Sequence, residues 1–215
     1  MRNWSWPAEL GGEGAATTGL AAPDAPPELV DQAQRAMTAA RLTALGARAG
    51  LVCQLTGLEK RAANRLYRQW YGRPSPAGQS PFTDTWFVRD RQRLLHAALV
   101  WSLHRRQPTG LDPGVHWIRV YESYCALVDQ PLLDLTRAYT VPRLVQTGVW
   151  QPKTCSQCRS TFLQPPEALA THCPGCSEIQ RYRCRQCGEP LPTQVTGRRR
   201  LYCVACGSQA KRRTP

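Results

Sequence analysis

The sequence predicts a mainly α-helical protein: a helical N-terminal domain with a helix-turn-helix-like pair, followed by small four-cysteine modules at the C-terminus. Three observations carry this expectation. Apolar residues recur at helical spacing from about residue 28 to residue 150, with few strand-like alternations before residue 160. A break at Thr56-Gly57 separates two amphipathic stretches. Eight of the ten cysteines fall after residue 150, in four Cys-x2-Cys pairs.

Residues 1–27 are rich in Gly, Ala and Pro without a sustained period, which predicts a disordered extension. Trp4 and Trp6 within it are either loosely packed or a docking tag. From Glu28 a helical pattern runs through QAQRAMTAARLTALGARAGLVCQLT, breaks at Thr56-Gly57, and resumes in LEKRAANRLYRQWYG. A loop with three prolines, RPSPAGQSPFTD, comes next. WFVRDRQRLLHAALVWSLHRR reads as a strong helix ended by Pro108, and HWIRVYESYCALVDQ as another. Pro131 suits the first turn of a further helix, PLLDLTRAYTVPRLVQTGVW, which Pro142 should kink or split. The expected organisation is an extension over 1–27, a helical domain over 28–150, a first four-cysteine module over 151–180, and a second with a basic tail over 181–215.

No apolar run reaches the roughly 18 residues that would span a bilayer. Met1 to Leu10 lacks the apolar stretch of a signal peptide, so the expectation is a cytoplasmic protein without a membrane partner. In a reducing compartment, ten cysteines point to metal rather than disulfides. The net charge of +13 is uneven. Residues 1–40 carry two Arg against five acids, residues 41–150 fifteen Lys/Arg against seven, and residues 151–215 eleven against three. Such a field suits nucleic acid, with plain solubility as the bland alternative.

Cys155-x2-Cys158 and Cys173-x2-Cys176 are separated by 14 residues; Cys184-x2-Cys187 and Cys203-x2-Cys206 by 15. Two such knuckles bring four thiolates round one tetrahedral ion, the closed arrangement of structural zinc. Pairing can be sequential or crossed. The near-equal spacings and the intervening SEIQRYR favour sequential pairing, hence two Zn2+ sites. With four thiolates no coordination position stays open, which argues against catalysis by the metal. Arg183, Arg185, Arg198, Arg199 and Arg200 then form a candidate phosphate track, with Arg181, Lys211, Arg212 and Arg213 nearby; a solvated charge run gives the same pattern. Cys53 and Cys125 sit in apolar helical contexts and read as small core residues.

On a helical wheel from Leu58 to Trp70, the residues Lys60, Arg61, Asn64, Arg65 and Arg68 fall within an arc of about 140°. Leu58, Ala62, Ala63, Leu66 and Trp70 occupy the other side, and Thr56 is placed to cap the helix. With the helix around Leu42 to Leu55 before it, this is a helix-turn-helix pattern whose basic face suits phosphates or base edges. A solvated basic face on an ordinary amphipathic helix is the alternative. No Gly-rich phosphate loop, HExxH or paired-carboxylate spacing is present, and the four histidines are scattered; the sequence does not read as an enzyme.

The segment RLTALGARAGLVCQLTGLEKRAANRLYRQWYGRPSPAGQSPFTDTWF resembles the FlhC family, subunits of the bacterial flagellar master regulator. The resemblance lies in Leu45 to Arg48, the helix pair, and then Gly72, Pro74, Pro76, Gly78, Pro81, Phe82, Trp86 and Phe87. PLLDLTRAYTVPRLVQTGVW followed by a Cys-x2-Cys pair also looks like that family. It implies a subunit that joins FlhD-like subunits in a heteromeric complex, binds promoter DNA and activates RNA polymerase at flagellar (class II type) promoters. It also implies one zinc site, at Cys155, Cys158, Cys173 and Cys176. The second cysteine module lies beyond the family's usual cluster, and Pro142 stands where an ordinary helix former is expected. FlhC-like activators of conjugative-transfer genes are the near alternative. A zinc-ribbon adaptor of RNA polymerase that binds no DNA, and an RNA-binding zinc protein, are the distant ones.

Overall fold

A computed structural model of the chain describes residues 27–77, 83–192 and 200–211. Residues 1–26 of the expected extension, the loop residues Gly78, Pro81 and Phe82, and the arginines Arg198, Arg199, Arg212 and Arg213 lie outside the described residues.

The helical pattern beginning at Glu28 is two helices rather than one. The first, α1 (Pro27–Ala44), ends before Gly46, which adopts φ 88° and lets the chain reverse. The next, α2 (Ala49–Thr56), closes on Gly57 at φ 70°, where the expected break falls. Thr56 does not cap the following helix. As the last residue of α2 it turns its hydroxyl back to the Val52 carbonyl at 2.7 Å, and the N-cap of α3 (Lys60–Tyr71) is Glu59, without a side-chain hydrogen bond. Tyr71, at the end of α3, donates to the Thr43 carbonyl at 3.0 Å, so α3 is tied to the C-terminal end of α1.

The stretch expected as one strong helix is split by Asp90. The short α4 (Thr85–Val88) precedes it, and its carboxylate caps α5 (Arg91–Arg106) by accepting from Gln92 N–H at 2.8 Å. Asp112 caps α6 (Pro113–Leu127) in the same way, with Pro113 at its first position. The last core helix, α7 (Leu135–Gln146), starts four residues later than Pro131 suggested, because Asp134 is its cap. Pro142 does not split it. The residue is buried within a continuous helix, and the Thr140 hydroxyl bonds the Thr136 carbonyl one turn earlier.

A central helix, α5, packs against α4, α6 and α7 and against the C-terminal elements, while α1 packs on α2, α3 and α6. Leu42, Val52, Phe87, Val100, Val120, Tyr124, Leu135 and Val141 are almost fully buried between them. Gly114 lets α6 meet α1 closely: a Cβ there would lie 2.5 Å from Thr38 Cγ2. Phe87 meets Trp86 and Trp150 edge to face, each at 5.2 Å, and the Trp150 indole donates to Asp84 at 3.1 Å. Arg93 and Arg137 both lie over the Trp86 ring, at 4.1 and 4.4 Å, so part of the positive charge serves the core.

After Trp150 the chain forms a hairpin, β1 (Gln151–Thr154) and β2 (Thr161–Gln164), antiparallel with Thr154 opposite Thr161. Its inner face adds Leu163 to the helical core. Two short helices complete the order, α8 (Pro174–Arg181) and α9 (Val204–Lys211). No helix among the described residues is long and apolar enough to cross a membrane.

Candidate metal centres and basic surface

The four Cys-x2-Cys pairs assemble sequentially. The sulfurs of Cys155, Cys158, Cys173 and Cys176 lie within 4.8 Å of one another, and so do those of Cys184, Cys187, Cys203 and Cys206. Local backbone geometry explains the grouping. In the first module Cys155 N–H donates to the Ser160 carbonyl and Arg159 N–H to the Cys155 carbonyl, with Arg159 in the left-handed region at φ 60°. In the second, Cys184 N–H donates to the Glu189 carbonyl and Gly188 N–H to the Cys184 carbonyl, with Gly188 at φ 76°.

The correspondence continues away from the turns. Ser156 N–H reaches the Thr171 carbonyl at 2.9 Å, and Arg185 N–H reaches the Leu201 carbonyl at the same distance. In each module the second pair opens a helix, α8 or α9, with the backbone N–H of Cys176 or Cys206 aimed at the sulfur of Cys173 or Cys203. The second module is therefore a structural repeat of the first.

These donors fit a tetrahedral ion. A thiolate tetrahedron with bonds of about 2.3 Å has edges of about 3.8 Å; Cys158 and Cys173 lie 3.7 Å apart and Cys187 and Cys203 3.6 Å. Within each set the thiols differ. Backbone N–H donors, first that of Cys158, hold Cys155 down at about 6, and that of Cys187 does the same for Cys184. Hydrogen bonding to Cys158 pushes Cys176 up to about 12, and hydrogen bonding to Cys187 pushes Cys206 equally high. Charge neutralisation by a cation is what would let four thiolates coexist in so small a volume. His172 is no ligand; its Nδ1 pairs with the Thr171 hydroxyl at 3.0 Å.

The basic candidates are more dispersed. On α3, Lys60, Arg61, Arg65 and Arg68 are exposed, as the wheel predicts. Asn64 is half-buried and donates back to the Lys60 carbonyl at 2.9 Å. Trp70, assigned to the inner side of the wheel, is 54% exposed; Ala63 and Tyr67 make the buried contact instead. Arg183, Arg185 and Arg200 are exposed in the second module. The residue that sequence reasoning missed is Arg91. It begins α5, far from the cysteines in sequence, yet its guanidinium is ion-paired to Glu178 on α8, and no local pattern announces that.

A basic helical core carrying two four-cysteine clusters, each able to hold a metal ion in a closed four-sulfur set, defines the class: a helical protein with candidate structural metal centres. Comparison with known proteins narrows this. The family model described as "Flagellar transcriptional activator (FlhC)" matches residues 27–200, and the chain belongs to the FlhC family. It is 32% identical over 143 residues to the flagellar transcriptional regulator FlhC of Pectobacterium carotovorum, covering 64% of this chain and 74% of that protein. The FlhC of Yersinia enterocolitica is 33% identical over 144 residues, covering 63% and 73%. That of Variovorax paradoxus is 26% identical over 141 residues, covering 63% and 69%.

Proposed function

We propose that the chain is the FlhC-type subunit of a heteromeric transcription activator, which acts with an FlhD-like partner on promoter DNA and RNA polymerase. The observation that carries this reading is the match of the FlhC family model across residues 27–200. Each four-cysteine set holds one Zn2+, and the ions hold the turns and short helices in register where few large apolar side chains are available to do so. The helical core, with its own aromatic and aliphatic interior, positions these modules and presents the basic face of α3.

The partner reading gains support from α1. Residues 28–37 are exposed, and the buried residues Thr38, Ala39, Leu42 and Thr43 lie on one side of the helix. Leu29, Val30 and Met37, each more than half exposed, fall on the other side with Ala33, Ala36 and Ala40. A projecting helix with an apolar stripe turned away from its own core suits a second subunit.

Recovering the chromosomal fragments that the protein occupies, with its FlhD-like partner present, tests this. Enrichment at flagellar promoters is expected. Enrichment at conjugative-transfer promoters keeps the mechanism and changes the regulon. No enrichment removes the DNA-binding activator and leaves the polymerase adaptor, a reading favoured by Val204 of the second module, which is 79% exposed beside Leu201 and Tyr202.

A further inference from the structure

Between the two cysteine modules lies a cleft with a volume of about 640 Å³. Four arginines line it: Arg91 from the start of α5, Arg181 from the end of α8, and Arg183 and Arg185 from the second module. Gln157 and Gln180, joined by a 2.8 Å hydrogen bond, contribute further polar groups. No carboxylate is among the lining residues. Three separate parts of the chain thus converge their guanidinium groups on one concavity of the size that takes small ligands.

We propose that this cleft binds phosphate oxyanions, presented by a DNA backbone or by a free polyphosphorylated nucleotide. Guanidinium forks match phosphate geometry and make its stronger, charge-assisted hydrogen bonds. Arg183 uses one of its five N–H groups on the Gly188 carbonyl at 2.9 Å, which orients the fork and leaves other donors for a ligand. With DNA as the source, the assignment rests on the activator reading above; with a free polyphosphate, the same arginines serve without it.

Two of the other arginines, Arg91 and Arg181, have an internal competitor. Glu178 pairs with Arg91 and, at 3.8 Å, with Arg181. All three side chains are 39–55% exposed, so these ion pairs are weakly held and exchangeable. A terminal phosphate of a polyphosphate carries more charge and more acceptor oxygens than the carboxylate it displaces, and a DNA backbone, with one charge per phosphodiester, competes through several successive phosphates. Glu178 therefore acts as a place-holder: it pairs with two guanidinium groups, offsets part of their charge, and gives way when an oxyanion arrives.

The test uses the zinc-loaded full chain, titrated with inorganic tripolyphosphate and, separately, with a short DNA duplex over a range of salt. The variants are Arg183→Ala with Arg185→Ala, and Glu178→Gln, each checked for unchanged metal content. If DNA is the source, the double variant lowers the slope of log K against log salt by up to about two contacts' worth, roughly 0.9 each. If a free polyphosphate is the source, it weakens tripolyphosphate about tenfold and leaves the duplex slope alone. Glu178→Gln tightens whichever ligand binds, whereas a merely structural glutamate would weaken it. Wild-type affinity of the double variant for both ligands, or no affinity of the wild type for either, overturns the cleft. Promoter occupancy in cells separates the two readings. If it persists in a double variant with wild-type affinities, the cleft fails and the activator stands. If the wild type occupies no promoter, the activator fails and tripolyphosphate binding alone decides the cleft.

Discussion

The hydroxyl of Tyr124 on α6 lies 2.5 Å from Nδ1 of His96 on α5, and the same oxygen accepts from the backbone N–H groups of Leu132 and Leu133 at 3.0 and 3.2 Å. With two donors already aimed at it, the hydroxyl sends its proton to His96, which fixes that ring as the tautomer protonated at Nε2. Tyr121 completes the clasp by donating to the Leu133 carbonyl at 3.0 Å. Two tyrosines one turn apart on α6 thereby hold both polar groups of one buried loop residue.

Tyr124→Phe keeps the ring packing and removes the acceptor. Leu133 N–H is buried, so its loss of a partner should cost about 1–3 kcal/mol. Urea unfolding monitored by tryptophan fluorescence gives the value, and a loss below about 0.5 kcal/mol would mean that water replaces the hydroxyl.

Gly114→Ala places a methyl group 2.5 Å from Thr38 Cγ2, with Asp112 Oδ1 also close at 3.1 Å. Thr38 is buried and α1 is anchored beyond it, so the helices must separate. A destabilisation of about 1–3 kcal/mol is expected, and Thr38→Ala in the same chain should recover part of it. Additive losses in the double variant would show that the two positions do not meet.

His104 and His116 are joined by a 2.7 Å contact between Nδ1 and Nε2, and His104 stacks on Trp117 with centroids 5.4 Å apart. Burial, then the neighbouring His116 and Arg105, lowers His104 from 6.5 to about 4. Its folded state binds its proton later than its unfolded state does. The associated stability is present above pH 6.5, falls as the pH drops from there, and is lost by about 4. Thermal midpoints measured across that interval should decline less steeply for His104→Gln than for the wild type; parallel curves would assign the decline to other groups.

Metal analysis of the purified chain should return two zinc ions. Cys206→Ser should return one and leave the tryptophan-rich core cooperative, since no described residue of the second module belongs to that core. Cys176→Ser is expected to be costlier, because Leu163 of the first module's hairpin packs within the core cluster. A single ion in the wild type, or equal unfolding midpoints for the two variants, would contradict the independent-site arrangement.

Much of this was legible from residue spacing. Near-equal gaps between cysteine pairs pointed to sequential sets, and the period of apolar residues gave the helices. The failures have local causes. Gly46 sits in a continuous helical pattern, and only its positive φ reveals that α1 stops there. Thr56 looked like a cap because Thr favours that role, but its hydroxyl donates within its own helix and accepts from Leu58 N–H in the turn, one residue short of the Glu59 N-cap. Trp70 followed the apolar side of the wheel, yet Tyr67 filled the available space below α3. The arginine cleft was half visible, as a basic run near the second module. Its other wall needed Arg91, whose approach to Glu178 is a tertiary fact with no signature in either local segment.

Leu163 is a late arrival to the core that it completes. Synthesis proceeds from the N-terminus at roughly 5–20 residues per second, so α1 through α7 leave the ribosome before the strand that seals them, and the ligands of the first ion finish emerging only with Cys176. For seconds the nascent helices bear an unsealed apolar patch on α5, and under the zinc occupancy proposed above, metal capture by the first module is the event that closes it. A cell short of zinc would then meet this protein first as a problem of newborn chains, before any effect on those already folded.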